Sequence, residues 1–183
     1  MQDREIWVFG YGSLMWNPGF EVAEQQIARL HGYRRSFCMW SIHHRGTEEN
    51  PGLVLALDAD HGAYCDGVAL RVPDAHVDTT LGYLRERELV SSAYLEQICE
   101  LKLEDGREVE AVTYIVDPDH VQYCGGLPLE RQAEVITRAV GGRGPNPEYL
   151  FNTVTQLDTL GIRDHELVWL VERVRHLETT GRS

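Results

Sequence analysis

Trp7-Val8-Phe9-Gly10-Tyr11-Gly12-Ser13-Leu14 is the stretch on which the reading of this chain turns. Three large apolar side chains form a β-run, and the run breaks at two glycines one residue apart. Gly10 and Gly12 are expected to take up positive φ and to let another molecule come close to the main chain. A turn of this kind at the end of a strand exposes consecutive N–H groups, a nest for a carboxylate or a developing oxyanion. Spacing alone leaves two readings open, a substrate loop or a plain chain reversal. It does exclude some chemistry. A dinucleotide fingerprint fails because its third glycine position falls at Met15 and no acidic residue follows a clear second strand. No phosphate-binding P-loop is present, and Ser13 lacks the strained elbow of a hydrolase nucleophile.

Outward from this loop, residues 5–9 read as a strand and residues 27–41 as a second extended stretch rich in Tyr, Phe, Cys and Trp. Leu53-Val54-Leu55-Ala56-Leu57 gives a buried strand over 52–58, and residues 67–72 give another, closed by Pro73. Asp74 is expected to start a helix as its N-cap. Residues 94–103 and 109–116 read as two strands joined through Glu104-Asp105-Gly106-Arg107, where Asp-Gly marks a hairpin. Pro128 opens a helix to about Val140. Two more helices follow, from about Asn146 to Leu160 and from Asp164 to Leu177, with Gly161 as the break between them. Strands come first and helices collect at the end. That order predicts an α+β fold with a small, mixed, mainly antiparallel barrel-like sheet and helices packed around it.

At 183 residues the chain is long enough for one well-packed domain, here 1–183. A net charge of −12 argues against nucleic acid and against an anionic membrane surface. No apolar run approaches the roughly 20 residues that a membrane span needs. Met1-Gln2-Asp3-Arg4-Glu5 does not open a signal peptide, and Cys38, Cys65, Cys99 and Cys124 show no Cys-x-x-Cys pair. A cytoplasmic protein with reduced thiols is expected. His43 and His44 are adjacent and point apart in a strand, so joint metal ligation is not expected, nor is any cofactor. Arg34, Arg35 and Arg45 could meet a substrate carboxylate bidentately, although a solvated or structural role is the favoured reading of each.

The helix after Asp74 carries an anomaly. Its apolar positions Val77, Leu81 and Leu84 are spaced by four and three, and the next step of four lands on Glu88. Glu86 is about 200° away around the helix and is the solvent-facing partner. A carboxylate turned towards a core is costly unless paired, and burial raises its pKa. Glu88 is thus either an edge residue paired with an arginine or a general acid/base working near neutral pH.

The loop resembles that of the γ-glutamylcyclotransferases, which reads Tyr-Gly-Ser-Leu, and more narrowly that of the ChaC family. Tyr83-Leu84-x-x-Arg87-Glu88 resembles the family's Tyr-Leu-x-x-Arg-Glu segment, whose glutamate is the catalytic acid/base. His44-Arg45-Gly46-Thr47, Pro51-Gly52-Leu53-Val54-Leu55-Ala56-Leu57, Cys65-Asp66-Gly67-Val68-Ala69 and Gly144-Pro145-Asn146-Pro147-Glu148-Tyr149-Leu150 are also similar, in the family's order. After Glu88 this chain departs from the family's Arg-Glu-Lys-Gly-Gly-Tyr. It reads Leu89-Val90-Ser91-Ser92-Ala93-Tyr94, without the glycines and with two extra residues before the tyrosine.

The resemblance implies the same small barrel and a lyase activity on glutathione, giving 5-oxoproline and Cys-Gly. Glu88 would be the catalytic residue. The main chain of Val8, Phe9, Gly10, Tyr11, Gly12 and Ser13 would bind the γ-glutamyl group, with Tyr11 and Leu14 shaping the pocket. Tyr149 is a further candidate, by its hydroxyl or by packing alone. Two rival readings stay open: a cyclotransferase for γ-glutamyl amino acids or γ-glutamylamines, and a non-catalytic regulatory module associated with cation transport.

Overall fold

The alternation of large apolar residues at Trp7 and Phe9 with Val8 places side chains on both faces of the first strand, and all three are buried. In the computed structural model, which describes residues 5–89 and 93–181, this strand is β1 (Ile6–Gly10). It pairs antiparallel with β3 (Gly52–Val72), from Ile6 opposite Val72 to Gly10 opposite Val68. On its other edge it runs parallel to β5 (Glu108–Val116), with Trp7 opposite Ala111. With β2 (Glu24–Ser41) and β4 (Tyr94–Leu103) the strands close a barrel in the order β1-β3-β2-β4-β5. One parallel pairing, β1 with β5, beside antiparallel pairings of β1 with β3, β2 with β4 and β4 with β5, with helices added, is the expected α+β class.

The chain divides into two compact units, Met1–Arg35 with Ala56–His120, and Ser36–Leu55 with Val121–Ser183. The long strands β2 and β3 run from one into the other.

The first unit carries the barrel core, where Trp7, Phe9, Leu30, Leu57, Leu101 and Leu103 pack together. Burial of this kind contributes about 1.5–3 kcal/mol for each large side chain removed from water. The β4–β5 hairpin pairs from Tyr94 opposite Val116 to Lys102 opposite Glu108, and Gly106 takes φ 95° in the turn where Asp-Gly was expected. A helix, α1 (Val77–Glu88), precedes the hairpin.

Two expectations need correction here. The strands read at 52–58 and 67–72 are one strand, β3. Residues 59–66, which separate them in sequence, belong to the same strand; 59–62 are exposed, and Gly62 departs from extended backbone at φ 91°. Asp74 does not cap α1. It opens a short 3₁₀ turn, Asp74–His76, and α1 starts at Val77 without a side-chain cap.

In the second unit α2 (Leu129–Arg138), α3 (Asn146–Thr159) and α4 (His165–Thr180) pack against one another. Asp164 caps α4 by accepting from Leu167 N at 3.1 Å. The helix expected to run to about Val140 stops at Arg138, because Val140–Gly141 (β6) pairs with Gly144–Pro145 (β7). The first turn of α3 bonds to β3 as a neighbouring strand would. Its Asn146, fully buried, accepts from Leu53 N (2.8 Å) and donates to Leu53 O (2.9 Å).

Candidate active site

β1 ends in a loop whose shape is set by its own backbone. Met15 N donates to Gly12 O (2.9 Å) and Asn17 N to Ser13 O (2.7 Å), which winds Ser13–Met15 into a 3₁₀ turn. Neither glycine has positive φ, contrary to expectation: Gly10 continues the strand and Gly12 sits at φ −138°. Gly10 is required by space instead. A Cβ there would lie 3.1 Å from Met15 N and 3.2 Å from the Leu14 Cβ.

The side chains of Val8, Phe9 and Leu14 are buried, so packing occupies them and only their main chain is left to meet a ligand. Tyr11 is half-buried and packs against the barrel core. Ser13 is exposed.

Two arginines hold the loop. Arg35, buried on β2, donates from Nε to Tyr11 O (2.7 Å) and from Nη2 to Asp66 O (2.6 Å). A trans peptide plane points its C=O and N–H in opposite directions, so gripping Tyr11 O turns the Gly12 N–H away from Arg35. Arg87, in the last turn of α1, reaches the loop's far side. Its Nη2 donates to Ser13 Oγ (2.9 Å), and its Nη1 to Asn17 O (2.8 Å), Pro18 O (3.1 Å) and the Tyr83 hydroxyl (3.2 Å). Gly19, at φ 77°, leaves room for that hydroxyl, which a Cβ would strike.

Glu88 follows directly. Leu84, one turn before it, is fully buried, while Glu86 is exposed. The Glu88 side chain keeps only 18% of its surface exposed, and Arg87 Nε lies 3.5 Å from its Oε1. Burial pushes the Glu88 carboxyl above the usual carboxylate range, and the Arg87 charge opposes that shift without cancelling it.

Tyr114 on β5 senses the Glu88 charge; burial and its hydrogen bond to Glu96 push its phenol strongly upwards. That bond runs from the Tyr114 hydroxyl to Glu96 Oε1 (2.8 Å), and Arg85 meets the same carboxylate from Nε (3.1 Å) and Nη2 (3.1 Å). Burial disfavours the Glu96 charge, but the bonds from Arg85 and Tyr114 outweigh it and hold the carboxyl below its ordinary range. Two carboxylates on neighbouring elements are therefore driven in opposite directions, a pattern that separates a proton-transferring group from a fixed charge.

The structure thus brings the loop 8–14, Arg87 and Glu88 together within the first unit. Tyr149 belongs to the second unit, where its hydroxyl accepts from Leu55 N (3.2 Å) and its ring meets Phe37 edge-on at 6.0 Å. The segment 90–92, where the chain departs from the ChaC pattern, lies outside the described residues; Ala93 beyond it is buried. The structural role favoured for Arg35 agrees with its burial and its bonds to Tyr11 O and Asp66 O, though its part in holding the loop was not foreseen, and Arg87 was missed altogether. For Arg35 a signal existed, since it lies between Tyr33 and Phe37 in an extended stretch that also carries Cys38 and Trp40. Among the described residues no cluster of three or more His, Cys, Asp or Glu is arranged to hold a metal.

The ChaC-like protein family model matches residues 6–177. The glutathione-specific gamma-glutamylcyclotransferase of Escherichia coli (strain K12) is 40% identical over 172 residues, covering 94% of this chain and 74% of the relative. The glutathione-specific gamma-glutamylcyclotransferase 1 of Homo sapiens is 32% identical over 175 residues, covering 93% and 79%. A crystal structure of the gamma-glutamyl cyclotransferase specific to glutathione from yeast superposes with a TM-score of 0.85 at 25% identity, covering 98% of this chain and 99% of the other.

Proposed function

The chain belongs to the ChaC-like protein family, and on that premise we propose that it is a glutathione-specific γ-glutamylcyclotransferase with Glu88 as its general acid/base. The observation that carries the site assignment is the largely buried carboxylate of Glu88, raised in pKa and one residue from the arginine that holds the loop after β1. The names of the relatives from Escherichia coli and Homo sapiens support glutathione as the substrate.

In glutathione the α-amine and the γ-amide carbonyl belong to one short chain. Bending that chain puts the nitrogen against the carbonyl carbon, and closing the five-membered lactam expels Cys-Gly. The reaction is an internal aminolysis in which no water is consumed. The protein has to supply conformation, a base and a home for the oxyanion.

Ionised Glu88 accepts a proton from the substrate ammonium, and the freed amine attacks the γ-carbonyl carbon. The carbonyl electrons move onto oxygen, where the main-chain N–H groups of the loop stabilise them. Collapse breaks the C–N bond as Glu88 gives its proton to the departing nitrogen. Glu88 then takes the surplus proton from the attacking nitrogen, which leaves a neutral lactam, and passes it to the amine of Cys-Gly, which departs as the ammonium. A carboxyl of ordinary acidity would be a poor proton donor to the departing nitrogen; burial brings Glu88 closer to both roles.

Pure protein incubated with glutathione is expected to release 5-oxoproline and Cys-Gly in equal amounts. Compared at equal concentration, γ-Glu-Ala and a γ-glutamylamine should react more slowly. Faster release of 5-oxoproline from either one overturns the glutathione assignment and leaves the chemistry standing.

A further inference from the structure

We propose that Arg87 is a positioning residue for this reaction, one guanidinium that fixes the substrate loop and the acid/base carboxylate relative to each other. The inference rests on the cyclotransferase reading of the site and adds to it a part that the reaction scheme does not require.

The geometry carries it. Among the described residues Arg87 donates three hydrogen bonds to the loop after β1, to Ser13 Oγ, Asn17 O and Pro18 O. Its remaining edge faces Glu88, with Nε 3.5 Å from Oε1. The planar fork of an arginine can serve these directions together, whereas a lysine ammonium is a single point charge. The loop residues lie far away in sequence, with Ser13 74 positions from Arg87, so no local geometry holds them near Glu88. The main-chain groups offered to a γ-glutamyl substrate and the carboxylate that moves its proton are thereby tied to one rigid plane. Catalysis by proximity is sensitive to this kind of tie, since misplacing a reacting group by about 1 Å can lower the rate about 10²-fold.

The electrostatics of Glu88 then become a readable signal. Arg87 on its own helix is the group whose charge acts on Glu88, and Tyr114 on β5, itself uncharged, is near enough to feel the Glu88 charge, with Glu96 of β4 and Arg85 behind Tyr114. Tyr114 is pushed so far up that it stays protonated through any acid limb. Glu96 is held ionised by Arg85 and Tyr114 down to lower pH than an ordinary carboxylate. The acidic limb of kcat/KM therefore follows Glu88.

The test compares wild type with Arg87→Gln and Arg87→Lys. For each, kcat and KM for glutathione are measured across pH, and the Glu88 carboxyl is titrated by carbon-13 NMR. Arg87→Gln removes both tie and charge, so KM should rise, kcat/KM should fall by about 10²-fold, and the acidic limb and NMR titration should move to higher pH. Arg87→Lys keeps the charge and loses the fork, so limb and titration should return towards wild type while KM stays high. The proposal is overturned if Arg87→Gln leaves KM and the limb unchanged, or if activity falls only with the folded fraction while the folded enzyme keeps wild-type constants. It is also overturned if Lys restores KM in full, for charge alone then suffices. The NMR titration needs no turnover, so a wild type inactive on glutathione would sink the substrate reading and still leave the Arg87–Glu88 coupling measurable.

Discussion

Glu88 and Glu86 lie two residues apart on α1 and meet different surroundings: one is largely buried beyond Leu84, the other exposed. Replacing Glu88 by Gln keeps volume and removes the proton acceptor, so the chemical step is expected to slow by about 10²–10⁴-fold, while Glu86→Gln should leave kcat/KM near wild type. Steady-state assay of both variants decides between the two carboxylates; an inactive Glu86→Gln or a fully active Glu88→Gln removes the assignment. Stability supplies an independent sign. Because burial raises the folded-state pKa of Glu88, the folded protein holds its proton more tightly than the unfolded chain does. This group's contribution is most favourable below the unfolded pKa and is lost as pH rises through the folded value. Glu88→Gln should therefore melt no lower than wild type at neutral pH, with the difference shrinking in acid. Glu88 was legible because helical period carries the phase of Val77, Leu81 and Leu84 forward by one more step. Arg87 was not, because its partners are set by where residues 13–18 travel, and periodicity within α1 holds no information on that.

Among elements, the hairpin β4–β5 and the barrel class could be read from alternation and one Asp-Gly turn, signals that are local. The union of 52–58 and 67–72 in a single strand could not. Ala59-Asp60-His61-Gly62 breaks the apolar run because it is exposed, and exposure in an extended segment has the same composition as exposure in a loop. The role of α3 was hidden for a related reason. Its first turn completes the bonding of Leu53 with a side-chain amide, and a helix supplying a sheet's hydrogen bonds has no pattern in sequence. Asn146→Ala leaves the Leu53 N–H and C=O buried without that partner, at about 1–3 kcal/mol each. Denaturant unfolding should show a loss of about 2–6 kcal/mol, and an unchanged midpoint would mean that Leu53 finds its bonds elsewhere. Tyr149, a turn later, engages Leu55 N in the same way. Its substitution by Phe is a test of that bond in the second unit before it is one of substrate binding.

At the scale of the molecule, the sequence has no His or Cys spacing of a metal site, and the proposed reaction asks only for positioning and one carboxylate. Activity should survive prolonged chelation with no added cofactor. Loss on chelation, reversed by a divalent ion, would show that a metal takes part. The first unit holds every element this mechanism assigns a proton or a carbonyl to, whereas the Arg-Gly-Thr and Pro-Gly segments lie in the second. There, Gly142 N donates to His43 O (2.7 Å) and Arg143 N to His44 O (2.8 Å), and Gly46 sits where a Cβ would strike Gly52 N. In the described contacts these segments act as a tightly closed backbone seam, which accounts for their glycines without reference to a substrate.

The anchoring of the loop through the last turn of α1 has a consequence in time. If the terminal hydrogen bond from Leu89 N to Arg85 O (2.9 Å) opens and that turn unwinds, the guanidinium and the carboxylate leave together, and the loop loses its far support in the same event. Fraying at a helix end is among the cheapest local openings a protein makes. The amides of Met15 and Asn17 should then exchange with deuterium at the rate of the Leu89 amide, not at that of β1. A brief excursion at one helix end would set how often the molecule is, for a moment, without its catalyst.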